Sequence, residues 1–325
     1  MSGMAIKGSQ PIKGKDAEYI ASHVIKKLNS SCKDKDGNIV HFNTCTLGST
    51  GKKNPDDYSG DIDIAVELEF NDDNINMISD CIKNYICDTN IYDTQIKVSS
   101  GFHLISFGLE YSLNNEPYKL VQVDLMFSND LKYTKFMYHS PDYKKNESNF
   151  KGLYRTNLLI ALAGRAETCV DDIVQEVNHY GEQQVLDFWK YTLTYDKGLF
   201  LRHKTYRGKR GVLKNPVTVK DDDQLIATDI NKIIKFVLGD NATEKDTNSF
   251  ESLINFIFSD KYKYNNKVIY NALSDFLNDK RHEDKFLDII AYINKVIMSK
   301  HNSTYNSEYK SHLINELLKE ILLLK

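Results

Sequence analysis

The sequence predicts an α+β protein with a strand-rich first half and an all-helical second half. From His41 to about Phe127, apolar and polar residues mostly alternate, as they do in half-buried strands. From about Asn149 onward, apolar residues recur at helical spacing. A length of 325 residues corresponds to about two domains at roughly 150 residues each. We place these domains at residues 1–145 and 146–325.

The first half is expected to contain two helices and four strands. The opening helix is predicted at about residues 16–29, because Ile20, Val24 and Leu28 recur on one face. Asp36-Gly37 is typical of a hairpin turn. The remaining elements are predicted as strands at 42–48 and 61–69, a helix at 74–87, and strands at 102–113 and 118–127 that form a hairpin.

The second half shows helical periodicity with two interruptions. The predicted helices include residues 170–180, 182–194, 224–238 and 283–299. The periodicity stops near residues 198–216, which we interpret as a loop. The single tryptophan, Trp189, falls within a predicted helix and is interpreted as a core residue.

The composition excludes several classes of protein. Lys and Arg number 42 and Asp and Glu number 45, so a net charge of −3 argues against a binder that relies on bulk positive charge. No apolar run approaches the ~20 residues of a membrane span, and the first ten residues lack the apolar core of a secretion signal. A soluble, cytoplasmic protein is expected. Its five cysteines lack CxxC spacing, which favours reduced thiols over a zinc site or a disulfide framework.

The most informative stretch places two carboxylates on one predicted strand. Residues two apart in a strand face the same way, so Asp61 and Asp63 should project together while Ile62 and Ile64 face the core. Neighbouring carboxylates repel each other unless a cation neutralises them. Oxygen ligands of this kind suit Mg²⁺ or Mn²⁺.

A third acid, Asp124, lies on a later alternating strand, on the same face as Gln122. If that strand neighbours the strand of Asp61, the three carboxylates converge. Such a cluster can hold two divalent ions about 4 Å apart, the geometry for attack of a hydroxyl on phosphorus. Asp61 and Asp63 would then hold the nucleotide-bound metal, and Asp124 would help to hold the second ion.

The sequence resembles the polymerase-β-like nucleotidyltransferase superfamily in one ordered set of residues. The set consists of Gly48-Ser49, a spacer of eleven residues, the run Asp61-Ile62-Asp63-Ile64, and Asp124 on a later strand. That family includes CCA-adding enzymes, poly(A) polymerases, oligoadenylate synthetases and cyclic-oligonucleotide synthases. The resemblance covers about residues 40–130. It implies a palm domain, a short mixed sheet with helices on one side, and commonly a following helical domain that closes over the nucleotide. The segment 139–155 is also similar to nucleotidyltransferase-like proteins of bacteriophages, which would place the chain in a host cytoplasm or a virion.

Several further residues are candidates for binding the nucleotide. Backbone N–H groups around Gly48 and Ser49 would cradle the triphosphate, because glycine allows close approach of the main chain. Lys52 in the following loop could contact phosphates, although a solvated loop is an equal alternative. Lys151 and Arg155 lie one turn apart at the start of a predicted helix. The resemblance implies that this helix borders the nucleotide, and Arg suits phosphate; an ordinary surface turn is the alternative.

The predicted loop at 197–214 carries seven positive charges, interleaved aromatic rings and no acid. Such a segment is typical of a surface that follows a phosphodiester backbone. The alternative is a solvated loop balanced by the acids at 221–223. The candidate contacts with RNA or DNA are Arg202, Lys204, Arg207, Lys209 and Arg210.

Rival interpretations of the site fit the residues less well. A P-loop needs four residues between its glycines and a Ser or Thr after the lysine, whereas Gly48 and Gly51 are separated by two and Lys52 precedes another lysine. A glycosyltransferase also uses Asp-x-Asp, but it needs an upstream nucleotide-binding unit. The acids could also be solvent-facing residues without a function.

The function expected from the sequence is a metal-dependent, template-independent nucleotidyltransferase that uses an NTP and releases pyrophosphate. A nucleic-acid 3′ end is the favoured acceptor, with a second nucleotide or a protein hydroxyl as alternatives. The competing class is a protein of the same fold that has lost catalysis and serves as a binding or structural component, for example of a phage particle.

Overall fold

The computed structural model of the chain describes residues 5–50, 55–86, 96–112, 119–138, 150–166, 183–209, 212–213, 217–218, 223–279 and 285–300. The chain separates into two compact units, residues 1–149 and 150–325. Within the described ranges, the molecule contains eight α-helices and twelve strands. Among those helices, none combines the length and the apolar character needed to cross a membrane.

The first unit contains a mixed sheet, a small two-stranded sheet and three helices. In chain order, its described elements are β1 (Ile12–Lys13), α1 (Gly14–Ser31), β2 (Thr44–Thr46), β3 (Tyr58–Ser59), β4 (Ile62–Glu67), α2 (Asp72–Cys81), β5 (Ile96–Ser99), β6 (Leu104–Tyr111), β7 (Lys119–Ser128) and α3 (Leu131–Tyr138). A π-helical turn at Ile82–Ile86 extends α2. The elements that were predicted agree in position to within a few residues, because strand alternation and helical periodicity are both strong in them. The short strands β1, β3 and β5 and the helix α3 were not predicted.

The main sheet has the strand order β2-β4-β7-β6-β5. Strands β4 and β7 are parallel, and the other neighbouring pairs, including the predicted hairpin of β6 and β7, are antiparallel. A mixed sheet with helices agrees with the predicted α+β class. The parallel pair brings two of the candidate site residues together, because its register sets Asp63 opposite Asp124.

One face of this sheet forms the apolar core with α1 and α2. Ile62 and Ile64 of β4 and Leu125 of β7 are fully buried there, against Val24 and Leu28 of α1. Each such side chain contributes about 1.5–3 kcal/mol when it is removed from water. Since successive residues of a strand alternate, Asp63 and Asp124 are directed to the opposite face.

A disulfide bond between Cys32 and Cys81 joins the end of α1 to the end of α2. Both cysteines are buried in the core, with relative exposures of 0% and 2%. The prediction of reduced thiols was therefore wrong for this pair, since cysteine spacing in sequence does not reveal which helices lie side by side. A structural disulfide is also uncommon in the reducing cytoplasm that the composition led us to expect.

The second unit is not all-helical, so that part of the prediction was wrong. Its described elements are α4 (Gly152–Ala163), β8 (Gln183–Leu193), β9 (Leu199–Lys209), β10 (Val212–Leu213), β11 (Val217–Thr218), β12 (Gln224–Ala227), α5 (Ile230–Leu238), α6 (Phe250–Ile257), α7 (Asn266–Leu277) and α8 (Phe286–Lys300). Strands β8 to β12 form an antiparallel sheet in which β9 pairs with each of the other four.

The errors in the second unit have a common cause, since short apolar runs satisfy helical and strand periodicity alike. Strand β8 replaces the predicted helix at 182–194, and β9 replaces the predicted loop. The predicted helix at 224–238 divides into β12 and α5, where the Asp229 side chain caps the helix by accepting from Lys232 N–H at 2.9 Å. The predicted helix at 170–180 lies outside the described residues.

Removing the disulfide is expected to destabilise the first unit. The bond closes a loop with a sequence separation of 49 residues, for which chain entropy predicts a loss of about 4 kcal/mol in the free energy of unfolding. We expect Cys32→Ala combined with Cys81→Ala to lower the urea midpoint strongly, and a reducing agent to lower that of the wild type. Cys45→Ala, at a free cysteine, is the control. Equal midpoints with and without reductant, or no linked peptide by mass spectrometry, would contradict the bond.

Candidate metal centre

Three carboxylates converge on the polar face of the main sheet. Asp61 immediately precedes β4, Asp63 is the second residue of β4, and Asp124 lies within β7. One oxygen from each carboxylate lies within 4.8 Å of the other two. Asp61 and Asp124 are buried, with relative exposures of 3% and 8%, and Asp63 is partly exposed. The acids that the sequence singled out are thus brought together by the parallel pairing of β4 and β7.

This proximity is electrostatically costly. Although part of the Asp63 residue is exposed, burial of its carboxyl group raises the pKa of Asp63 well above its usual range, and the neighbouring carboxylates of Asp61 and Asp124 raise it further. Two unit charges about 4 Å apart repel by about 4 kcal/mol at an effective dielectric constant of about 20. That energy is a large share of the total stability of a domain, about 5–15 kcal/mol. The cluster therefore calls for a proton or a cation between its oxygens.

Asp124 is held by two neutral side chains. Gln122 donates from Nε2 to both carboxylate oxygens at 3.0 Å, and the Ser106 hydroxyl, opposite it on β6, also donates. Burial raises the pKa of Asp124, while the bonds from Ser106 and Gln122 act in the lowering direction. These donors favour the ionised form, which is the form that binds a metal.

The orientation of the Gln122 amide is fixed by the start of the chain. Its Oε1 accepts from the backbone N–H groups of Ala5 at 2.9 Å and Ile6 at 3.1 Å. Because a backbone N–H can only donate, the amide oxygen must face these groups and the NH₂ must face Asp124. Strand alternation was enough to predict that Gln122 lies on the same face as Asp124. No local pattern could reveal its hydrogen bonds with Ala5 and Ile6, which precede it by 117 and 116 positions.

Gly48 lies directly against the cluster. Its φ of +58° is in the left-handed region, and a Cβ at this position would overlap Oδ2 of Asp63. The surrounding turn is tied to β4, since Leu47 N–H donates to the Asp63 carbonyl at 2.9 Å and Asp63 N–H donates to Thr50 Oγ1 at 3.2 Å. In the structure this glycine makes room for the Asp63 carboxylate. Close approach of its backbone to a triphosphate stays a prediction.

The Ser49 hydroxyl shares a short hydrogen bond with the hydroxyl of Ser59. This bond links the turn after β2 to the residue that follows Tyr58 in β3. Lys52, the other predicted phosphate contact of this loop, lies outside the described residues.

The two predicted phosphate contacts of the second unit have different environments. Lys151 is exposed at the start of α4. Arg155 is buried, with a relative exposure of 1%, and its Nε donates to the carbonyl of Thr247 at 2.6 Å. The alternative of an ordinary surface turn was therefore wrong for Arg155, because α4 is buried on nearly every side of its first two turns. Phosphate binding by Lys151 and Arg155 stays a prediction. Of the segment 139–155, only residues from 150 onward are described.

The basic segment is a strand rather than a solvated loop. Arg202 forms an ion pair with Asp223 at 2.9 Å, so one of the acids expected to balance this segment does so. Lys204 is partly buried, and burial followed by the nearby Arg202 lowers its pKa. Arg207 and Lys209 belong to β9, but their side chains are not described, and Arg210 lies outside the described residues.

The donor set fits a hard divalent cation. All three groups are carboxylates, and Mg²⁺ prefers oxygen ligands at about 2.1 Å in an octahedron, where ligand oxygens lie about 3–4 Å apart. Oxygens already within 4.8 Å of one another reach that spacing by small side-chain rotations. Asp61, Asp63 and Asp124 are therefore the residues that could hold Mg²⁺ or Mn²⁺.

Adding a methyl group at Gly48 is expected to disrupt the centre. Gly48→Ala places Cβ against Oδ2 of Asp63 at a positive φ, so it should displace the carboxylate and weaken Mn²⁺ binding at least roughly 10-fold. Gly37→Ala is the matched control, since Gly37 also has a positive φ but has no atom within 4 Å of the added carbon. It should show only backbone strain of about 1–2 kcal/mol. Isothermal titration with Mn²⁺ measures the difference, and equal affinities in the two variants would contradict the contact.

The chain matches no protein-family model and no curated protein. Because these comparisons identify no relative, the function of the chain must be inferred from the carboxylate cluster and from its place on the polar face of two parallel strands.

Proposed function

We propose that the chain is a metal-dependent, template-independent nucleotidyltransferase that moves a nucleotide from an NTP to an acceptor hydroxyl. The observation that carries this proposal is the register of β4 and β7, which sets Asp63 opposite Asp124 with Asp61 beside them. The proposal is also supported by a mixed sheet that packs against α1 and α2 and by a glycine turn beside the acids, since the resemblance to polymerase-β-like enzymes implies such features.

In the proposed reaction, the acceptor oxygen forms a bond with the α-phosphorus of the NTP. The bond between that phosphorus and the oxygen bridging to the β-phosphate breaks, pyrophosphate leaves with the electron pair, and the hydroxyl proton passes to solvent. Divalent ions, when bound, lower the pKa of the attacking hydroxyl and neutralise the triphosphate. Asp61, Asp63 and Asp124 would hold those ions, and Gln122 orients Asp124 and favours its ionised form.

The favoured acceptor is a nucleic-acid 3′ end, and a second nucleotide or a protein hydroxyl would use the same chemistry. A labelling assay distinguishes these cases. The protein is incubated with Mg²⁺ and each α-labelled NTP in turn, alone and with RNA, DNA or protein acceptors. Label in RNA, DNA, a short oligonucleotide or protein identifies the acceptor. No NTP binding and no labelled product with any acceptor would leave the competing class, a non-catalytic binding or structural protein.

Neutralising the central carboxylate is expected to abolish transfer and yet stabilise the metal-free protein. Asp63→Asn keeps the shape of the side chain and removes its repulsion with Asp61 and Asp124. Without metal, its melting temperature should therefore exceed that of the wild type. Mg²⁺ or Mn²⁺ should raise the melting temperature of the wild type by mass action but leave the variant unchanged. Transfer should fall by a factor of roughly 100 or more.

Thermal unfolding in chelator and in excess metal, together with the labelling assay, measures both effects. The control is Asp56→Asn, at an exposed acid upstream of the cluster, which should behave as the wild type does. A metal response that survives Asp63→Asn would contradict the proposed centre.

Removing the amide of Gln122 is expected to weaken metal binding. Gln122→Met keeps the volume but removes both donations to Asp124 and the acceptor for Ala5 and Ile6. Loss of such an outer hydrogen bond typically reduces metal affinity by roughly 10–100-fold.

The matched control for this variant is Thr134→Val. It removes the buried 2.7 Å hydrogen bond with Ser128 in the same unit without touching the acids. Both variants should lose about 1–3 kcal/mol of stability, but only Gln122→Met should lose affinity for Mn²⁺ in isothermal titration. Similar affinities for the two would show that Gln122 is merely structural.

A further inference from the structure

An aromatic pair lies on one face of the second sheet. Trp189 of β8 pairs directly with His203 of β9, so both residues project from the same face. Their rings are stacked, with centroids 5.2 Å apart and planes inclined by 17°. Trp189 has a relative exposure of 37%, so the prediction that it belongs to the core was wrong.

We propose that this ring pair is a platform on which bases of a single-stranded nucleic acid stack. Binding of the single strand does not depend on the proposed function. Only the role of that strand as the acceptor of the transferred nucleotide rests on the proposed function. Every base has a flat π-face, and a rigid, partly exposed aromatic side chain suits it without regard to base sequence.

The charge of β9 complements a phosphate backbone. From Leu199 to Lys209, this strand contains Arg202, His203, Lys204, Arg207 and Lys209 and no Asp or Glu. By strand alternation, positions 207 and 209 share the face of His203. At about 3.3 Å per residue they lie roughly 13 and 20 Å along the strand from it. A polynucleotide stacked on the rings and following β9 would pass both cationic positions.

Both faces of this strand pair pack in part within the second unit. On the face of Trp189, the ring of Tyr191 lies 4.6 Å from that of Phe236, and Leu193 and Leu199 are buried. The opposite face carries cations that have partners of their own. There Arg202 is paired with Asp223, and Lys204 is partly buried. The Lys190 side chain packs against Gly164, because a Cβ at Gly164 would come within 2.9 Å of Lys190 Cε. The cations of that face already serve the unit's own structure, so the part of the Trp189 face around the exposed Trp189 ring is the one suited to an external polyanion.

One acidic position shares the platform face, since Asp187 pairs with Thr205 on the side of Trp189. The two cationic positions, 207 and 209, exceed this single acidic position by only one charge. Stacking must therefore supply a large part of the affinity. With two phosphates neutralised, the slope of log K against log salt for a single strand is expected to be only about −1.4.

The fluorescence of Trp189 reports directly on this platform, because it is the only tryptophan of the chain. The full chain, without metal or NTP, is titrated with an oligo(A) RNA, the matching oligo(dA) DNA, a duplex of the same length and inorganic polyphosphate. We expect saturable quenching by the single strands, weaker quenching by the duplex and none by polyphosphate. Comparing RNA with DNA identifies which of the two is preferred.

Variants separate stacking from charge. With a dye-labelled oligonucleotide as probe, Trp189→Leu should weaken binding roughly 10–100-fold, and Trp189→Phe should retain most of it. His203→Ala should weaken binding, and Arg207→Ala should reduce the salt slope by about half, while Lys232→Ala, at an exposed lysine of α5, should do neither. Circular dichroism checks that each variant is folded.

Several results would overturn the platform. They are the absence of quenching by any oligonucleotide, equal quenching by polyphosphate or duplex, and equal binding by Trp189→Leu and wild type. Asp63→Asn should bind the single strand as the wild type does. If the protein binds the single strand but the wild type transfers no nucleotide, the proposed reaction is wrong and the platform is supported. If the wild type transfers a nucleotide but no oligonucleotide quenches Trp189, the platform is wrong and the proposed reaction is supported.

Discussion

The repulsion among Asp61, Asp63 and Asp124 is the constraint around which the first unit is organised. Parallel pairing of β4 and β7 forces two of these acids into adjacent positions, where each repulsive pair costs energy on the order of a few kcal/mol. A fold that stays within the narrow stability range of globular domains can tolerate such a cluster only if other contacts offset it. The positions of those contacts explain much of the unit's architecture.

Stabilisation is concentrated on the face of the sheet that lies away from the acids. Ile62, Ile64 and Leu125 alternate with the acids along the same strands, so every residue that helps to build the acidic face is followed by one that builds the core. The disulfide between Cys32 and Cys81 holds together the two helices that cover this core.

The parts of the site that could be predicted from sequence are those encoded locally. Alternation within each strand was enough to place Asp63 with Asp61 and Asp124 with Gln122, and the glycine of the preceding turn was recognisable. The pairing of Cys32 with Cys81, separated by 49 residues, depends on long-range packing that no local pattern encodes. The burial of Arg155 and the hydrogen bond between Ala5 and Gln122 also depend on long-range packing. The strand conformation of β8 depends in the same way on its pairing with β9, which is why its sequence was mistaken for a helix.

Strand alternation also changes the meaning of the basic segment. Counted along the sequence, its charges suggest one continuous polyanion-binding surface, but a strand sends alternate residues to opposite faces. Arg202 and Lys204 therefore lie on the face opposite to positions 203, 207 and 209. Arg202 is paired with Asp223, and Lys204 is partly buried in its own unit. With the cationic charge divided in this way, electrostatics alone would give only weak contact with nucleic acid. Base stacking on the pair of Trp189 and His203 is a kind of interaction that salt does not screen. The proposed platform would therefore let a protein with a net charge of −3 hold a polyanion without bulk positive charge.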